Sequence, residues 1–246
     1  MPPRRVAALY DIHGNLPALD AVLLDVAAAE VDEIVVGGDV VPGPMPRESL
    51  ARLLDLDRPL HFVQGNGDRE VIAPTGAVPE AFRDAMRWNA EQLSAEDRQR
   101  LAAWPATTRR EIVGLGAVLF CHATPRNDTE IFTRQTSDDR LRPIFAALDA
   151  ALVVCGHTHM QFDRMLGAVR VVNAGSVGMP FAAPGAYWLL LGPQVELRRT
   201  AYDLDAAAAL IRSTGYPQAE EFAARNVLQP PSEETMLAMF APAELK

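Results

Sequence analysis

Apolar runs that stop abruptly at polar clusters set the rhythm of the first third of the chain. RVAALY ends at Asp11, EIVV ends at Gly37-Gly38-Asp39, and PLHFV leads into Gly65-Asn66-Gly67-Asp68. Helix-period patterns separate them, from Leu16 to about Glu30 and from about Arg47 to Leu54. Strands alternating with helices of this length predict βαβ units and a largely parallel sheet. Ligands of such sheets bind beyond the carboxyl ends of the strands, which is where the polar clusters fall.

The rhythm then changes. Residues 79–103 predict helix, with Ser94 and Asp97 spaced as a capping box, and REIVGLGAVLFC predicts two strands across a glycine turn. A helix from about Asp138 to Leu148 leads to ALVVC, and VRVVNAG, AYWLLLG and VELRRTAY predict three further strands. Consecutive strands imply a second sheet with antiparallel pairing. No linker rich in Pro, Gly or Ser and no internal repeat divides the chain. The expectation is one α/β domain over residues 1–246, with the Ala-rich stretch 203–246 as a C-terminal helical extension. That extension packs as a cap or meets a second copy in an oligomer.

Composition narrows the function. The 246 residues carry a net charge of −9 without a basic stripe, which argues against bulk nucleic acid or an anionic membrane as partner. A small phosphorylated substrate stays compatible, because bound cations would supply the local positive charge. No apolar stretch approaches the roughly 18 residues of a membrane span. The MPPRR start opens no secretion signal. Cys121 and Cys155, at the ends of apolar runs, read as buried thiols of a reducing compartment. A cytoplasmic protein is expected.

Four of the five histidines sit in polar motifs at run ends: Asp11-Ile12-His13, Cys121-His122-Ala123 and Gly156-His157-Thr158-His159. Strand alternation predicts that Asp11 and His13 share a face, as do His157 and His159. Mixed carboxylate and imidazole donors suit Mn, Fe, Ni, Co or Zn better than Mg. Asp39 has two oxygens with which to bridge a pair of metals spaced about 3.5–4 Å. Asn66 adds a neutral carbonyl oxygen. His61, inside PLHFV, reads as a core histidine, and Trp88 and Trp104 read as packing residues. Asn15 either caps the first helix or positions phosphate.

In chain order, Asp11-x-His13, Gly38-Asp39-x-x-x-x-Gly43, Gly65-Asn66-x-Asp68, His122 and Gly156-His157-x-His159 resemble the signature of calcineurin-like metallophosphoesterases. The resemblance is greatest to their small single-domain bacterial and archaeal phosphodiesterases. It implies a four-layer α/β/β/α sandwich with two mixed β-sheets. It also implies two divalent ions, one on Asp11, His13, Asp39 and His159, the other on Asp39, Asn66, His122 and His157. Water ionised between such ions at neutral pH is the expected nucleophile.

One position departs from the pattern. Many phosphatases of the family carry a histidine after the asparagine, and here Gly67 stands there. A positioned general acid contributes about 10²–10⁴-fold, so its loss weighs against poor leaving groups such as alkyl monoesters. Asp68, which would orient that histidine, is a candidate catalytic residue beside Asp39 and Asn66, or else a turn cap. Arg126 is the candidate clamp on the ester, with Arg69 and Arg134 as companions. A phosphodiesterase acting on a small phosphorylated substrate is expected. A phosphomonoesterase, or a non-catalytic binding scaffold with a relict metal site, are the alternatives.

Overall fold

The computed structural model describes residues 1–75 and 79–246. Strand β1 (Val6–Leu9) is buried on both faces, which is why its sequence is a continuous apolar run. It is followed by α1 (Leu16–Ala28), β2 (Glu33–Val36), α2 (Pro46–Leu54) and β3 (Leu60–Phe62), with β1–β2 and β2–β3 paired in parallel. Helices α3 (Asn66–Ile72), α4 (Glu80–Gln92) and α5 (Ala95–Ala102) come next. Ser94 caps α5 reciprocally with Asp97, as its spacing predicts. The second half supplies β4 (Thr107–Ile112), β5 (Gly116–Cys121), α6 (Asp138–Phe145), β6 (Leu152–Cys155), β7 (Phe162–Leu166), β8 (Val169–Asn173), β9 (Ala186–Leu191) and β10 (Val195–Thr200).

Two five-stranded mixed sheets result, ordered β10-β9-β1-β2-β3 and β4-β5-β6-β8-β7. Val6, Ala8 and Tyr10 of the first sheet meet Val118, Phe120 and Val154 of the second in the central layer. Ala7 and Leu9 face the other way, into the core beneath α1 and α2. Helix α6 covers the outer face of the second sheet through Leu141, Ile144 and Phe145. The Tyr10 hydroxyl crosses the central layer and donates to the Val154 carbonyl (3.0 Å). This is the four-layer α/β/β/α arrangement expected.

Several elements differ from expectation: α3 was not anticipated, and β9 and β10, expected in the second sheet, pair antiparallel in the first. Strand β7 has no counterpart in the sequence reading, because Asp163 and Arg164 break its apolar run. It lies at a sheet edge, where one flank needs no partner and polar side chains are tolerated. Helix α6 stops at Phe145, three residues before the expected Leu148.

The chain ends in α7 (Leu204–Arg212), the short helix α8 (Ala219–Phe222), a π-helical stretch Ala223–Leu228, α9 (Glu233–Phe240) and a 3₁₀ turn. Ala208, Ile211, Phe222 and Val227 pack with Met45 from the loop before α2, and Met236 and Leu237 pack on Met160. These contacts set the terminal helices beside the carboxyl ends of the central strands.

Candidate metal centre

Asp11 and His13 lie in the loop after β1, Asp39 after β2, Asn66 at the start of α3, His122 after β5, and His157 and His159 after β6. The paired motifs do not lie on strands, so alternation does not set their shared face. Strands β1 and β6 end at Leu9 and Cys155, and the four residues beyond them turn into left-handed backbone, with φ of 53° and 49° for Asp11 and His13 and 67° and 57° for His157 and His159. Asp39 joins them at 52°. A left-handed L-residue costs about 1–2 kcal/mol. Of the seven non-glycine residues with positive φ among the described residues, five belong to this cluster. Such strain persists where the surroundings over-determine it. Here His13 N donates to Asp39 O (2.9 Å), Asp11 N to Gly38 O (3.1 Å) and Gly14 N to Val40 O (2.9 Å), lacing two loops together.

All seven side chains converge. Asp11 Oδ1 lies 3.3 Å from His159 Nε2, 3.9 Å from His122 Nε2 and 4.0 Å from His13 Nε2. Asp39 Oδ2 lies 3.6 Å from His122 Nε2 and 3.9 Å from His13 Nε2. His13 Nε2 and His159 Nε2 are 3.2 Å apart, and Asn66 Oδ1 is 3.0 Å from His122 Nε2. Two donors each about 2.1 Å from one ion sit about 3.0–3.4 Å apart at octahedral to tetrahedral angles and about 4.2 Å apart when opposed. The observed spacings fall in that range.

Each imidazole is also held from behind. His13 Nδ1 donates to Pro42 O (3.0 Å), His122 Nδ1 to Gly37 O (3.0 Å), His159 Nδ1 to Met179 O (2.7 Å) and His157 Nε2 to Thr129 O (3.2 Å). With the proton fixed on the outer nitrogen, the inner nitrogen presents a lone pair to the centre, the arrangement usual for ligating histidines. The carboxylates do the same. Asp11 Oδ2 accepts from His157 N (2.9 Å) and Asp39 Oδ1 from Gly67 N (2.7 Å), so one oxygen of each is anchored and the other turned inward. Asp11 Oδ1 is buried with no hydrogen-bond partner. Lone pairs facing one another across a buried space repel unless a cation lies among them. The same holds for Asn66, whose amide, turned over, would instead reach His122 Nε2 and His157 Nδ1 at 3.0 Å. The donor set fits divalent metal.

The two tightest groups are Asp11, His13 and His159, and Asp11, Asp39 and His122. They share Asp11, and Asp39 Oδ1 is occupied by Gly67 N. Of the two Asp39 oxygens, Oδ2 is the one turned toward the imidazoles of His122 and His13.

Charge follows the geometry. Burial pushes the Asp11 carboxyl up, but the nearby imidazoles of His159, then His122 and His13, pull it well below the usual range. Burial lowers His13 and His157, helped by neighbouring imidazolium charge, with His157 reaching about 4. Burial also opposes the charge on His122, yet Asp39 and Asp11 win and raise it.

The remaining sequence candidates take other roles. Asp68 is fully buried and accepts from Val40 N (2.9 Å), Val41 N (3.1 Å) and Gly65 N (3.3 Å), with burial and Asp39 raising its pKa to about 7. It ties the Asp39 loop to the Asn66 turn, which corrects a catalytic part to a positioning one. Arg126 is fixed on Glu130 (2.6–3.0 Å) beside a side cleft of about 290 Å³ that also touches His122. Arg69 is paired with Asp128 and Glu70, and Arg134 with Glu233. Asn15 caps α1 by accepting from Ala18 N, and its amide donates to Gly178 O. His61 is half-buried against Glu33, and Trp104 stacks on Phe62. Two buried asparagines join the site with no local sequence signal to mark them. Asn89 accepts from Gly43 N (3.0 Å), and Asn173 donates to Gly156 O (2.7 Å), each bracing a ligand loop.

A cleft of about 450 Å³ opens over His13, Asp39 and Asn66 and runs between α4 and the C-terminal helices. Candidate metal ligands in this chain order, beyond the strand ends of a two-sheet sandwich, are the arrangement that the sequence resemblance implies. Residues 5–192 match the calcineurin-like phosphoesterase superfamily domain, and the chain belongs to that superfamily. It is 29% identical to an uncharacterized protein of Methanocaldococcus jannaschii over 71% of this chain and 76% of that one. A metallophosphoesterase from Sphaerobacter thermophilus superposes with a TM-score of 0.73 and 29% identity, covering 91% of this chain and 99% of the other. A hypothetical protein from Pyrococcus horikoshii OT3 gives a TM-score of 0.81 at 20% identity, over 93% of this chain and 99% of its own. The last comparison extends the shared fold into the terminal helices.

Proposed function

We propose that the chain hydrolyses small phosphodiesters with the help of two divalent ions. One would be held by Asp11, His13, Asp39 and His159, and the other by Asp39, Asn66, His122 and His157. The observation that carries this reading is the inward convergence of these donors around the unpartnered, buried Asp11 Oδ1. When bound, the ions supply Lewis acidity toward phosphoryl oxygens and make water acidic enough to ionise near neutral pH. The carbonyls of Pro42, Gly37, Met179 and Thr129 hold the rings in orientation, with the other nitrogen of each aimed at the centre. The Gly67 amide fixes Asp39. The donor set favours Mn, Fe, Ni, Co or Zn over Mg.

Diester over monoester is supported by Gly67. No side chain projects there to protonate a leaving group, so substrates whose alcohol leaves readily as an anion are favoured. The net charge of −9 supports a small substrate over a polymeric one. No helix among the described residues is long and apolar enough to cross a membrane. The free, buried Cys121 and Cys155 suit a reducing, cytoplasmic setting. The test is turnover of bis(4-nitrophenyl) phosphate and 4-nitrophenyl phosphate by metal-stripped protein reloaded with Mn, Ni, Fe or Mg. Metal-dependent turnover with the diester faster is expected. Turnover of neither ester under any metal would contradict the reading.

A further inference from the structure

The cleft above the metal centre lies between a wall inside the superfamily match, which ends at residue 192, and a wall beyond it. One wall is α4, with Phe82 and Met86. The opposite wall is the terminal segment, with Phe222, Met236 and Met239, and Phe181 closes the end nearest the ligands. Phe181 stacks on His159 with centroids 4.8 Å apart, so the apolar lining begins where the donor set ends. Phe82 and Met239 are 47% and 62% exposed, although the chain buries most large apolar side chains. The two walls are tied together, Gln218 Nε2 donating to Ala81 O (3.0 Å) and Trp88 meeting Tyr216 edge-on at 5.5 Å.

The polar part of the lining is sparse and specific. Among the described residues Arg225 is the only guanidinium that lines the cleft, and its side chain makes no hydrogen bond or ion pair with them. Arg69, Arg126 and Arg134 are all committed to carboxylates. Arg225 and its neighbour Asn226 sit on the π-helical stretch, a conformation that recurs at functional sites. Glu221 lines the same wall and would repel a substrate with several phosphates.

We infer that the C-terminal helical segment is the specificity wall of this site, selecting phosphodiesters in which one substituent is a flat, largely apolar group such as an aryl or nucleoside moiety. This rests on the phosphodiesterase reading for the place of the phosphate. The flat group lies between Phe82 and Met239, and Arg225 meets the single negative charge of the diester or an acceptor on the substituent. A cleft of about 450 Å³ is of the size that encloses small organic ligands.

Methionine supplies the probe. Of eight methionines, Met86, Met179, Met236 and Met239 line the cleft. The full chain, labelled with ¹³C-methyl methionine, is titrated with methylphosphonate and with phenylphosphonate, both zinc-loaded and metal-free. Phenylphosphonate is expected to bind about ten- to a hundredfold tighter, the gain from burying one ring, and to shift these four methyl signals. Phe82→Ala and Met239→Ala, both at exposed positions, should shrink that preference while the circular dichroism spectrum is kept. Equal affinity for the two phosphonates, or tighter aryl binding that leaves these methyls unmoved, would overturn the inference. Zinc content measured on the same samples separates the two readings. If no metal binds, the phosphodiesterase reading falls, and the metal-free titration still decides the aryl preference.

Discussion

At Gly67 the space for a side chain is already taken. A Cβ there would lie 2.7 Å from Pro42 Cγ and 2.9 Å from Asp39 Oδ1, a ring and a candidate ligand that cannot both give way. Gly67→Ala should therefore disturb the Asp39 carboxylate and weaken metal binding by about 10–100-fold, as loss of an outer partner does, measured by competition with a chelating dye. Unchanged affinity would show that Pro42 yields instead. A histidine at this position meets the same collision, so adding the missing acid is not a one-residue change. The left-handed ligands invite a second test. His157 has φ 67° and faces other lone pairs, so in metal-free protein His157→Gly should unfold no earlier than wild type, while the stabilisation by added metal falls. A large drop in the melting temperature of the metal-free variant would mean that His157 is primarily a packing residue.

Among elements, the parallel β1–α1–β2–α2–β3 run was legible because both-face burial writes a continuous apolar strand and each strand stops at its ligand loop. Strand β7 was not, since an edge strand with Asp163 and Arg164 has no such pattern. The ligands were legible as residue types in order, but their backbone was not. Asp11-x-His13 has the spacing of a strand face and adopts instead consecutive tight turns, fixed by hydrogen bonds to a loop nearly 30 residues away. The supporting asparagines stayed hidden for a similar reason, because nothing local distinguishes Asn89 from any helix-face asparagine. Its amide oxygen nevertheless satisfies Gly43 N beside the Pro42 carbonyl that orients His13. Asn89→Ala should cost about 1–3 kcal/mol in urea unfolding, the penalty for an orphaned buried donor, and loosen metal binding as well. Stability within error of wild type would remove Asn89 from the bracing of the site.

In the molecule as a whole, a buried, strained, lone-pair-rich centre sits beyond the strand ends of the two sheets, with a separate apolar wall in front of it. Such a centre is costly when empty, so divalent metal should raise the unfolding temperature and a chelator lower it. At a metal concentration 100 times Kd the gain is about 2.7 kcal/mol. The gain should shrink as pH falls, because the imidazoles bind metal only when deprotonated, and His122, lowered by burial but raised more by Asp39 and Asp11, competes for a proton above the pH at which His13 and His157 do. Thermal scans across pH with and without manganese would read both effects. The most direct measurement is anomalous diffraction from a manganese-soaked crystal. Two peaks about 3.5–4 Å apart are expected, one beside His13 and His159 and one beside His122 and His157, with Asp39 within reach of both. Absence of ordered metal among these seven side chains would contradict it.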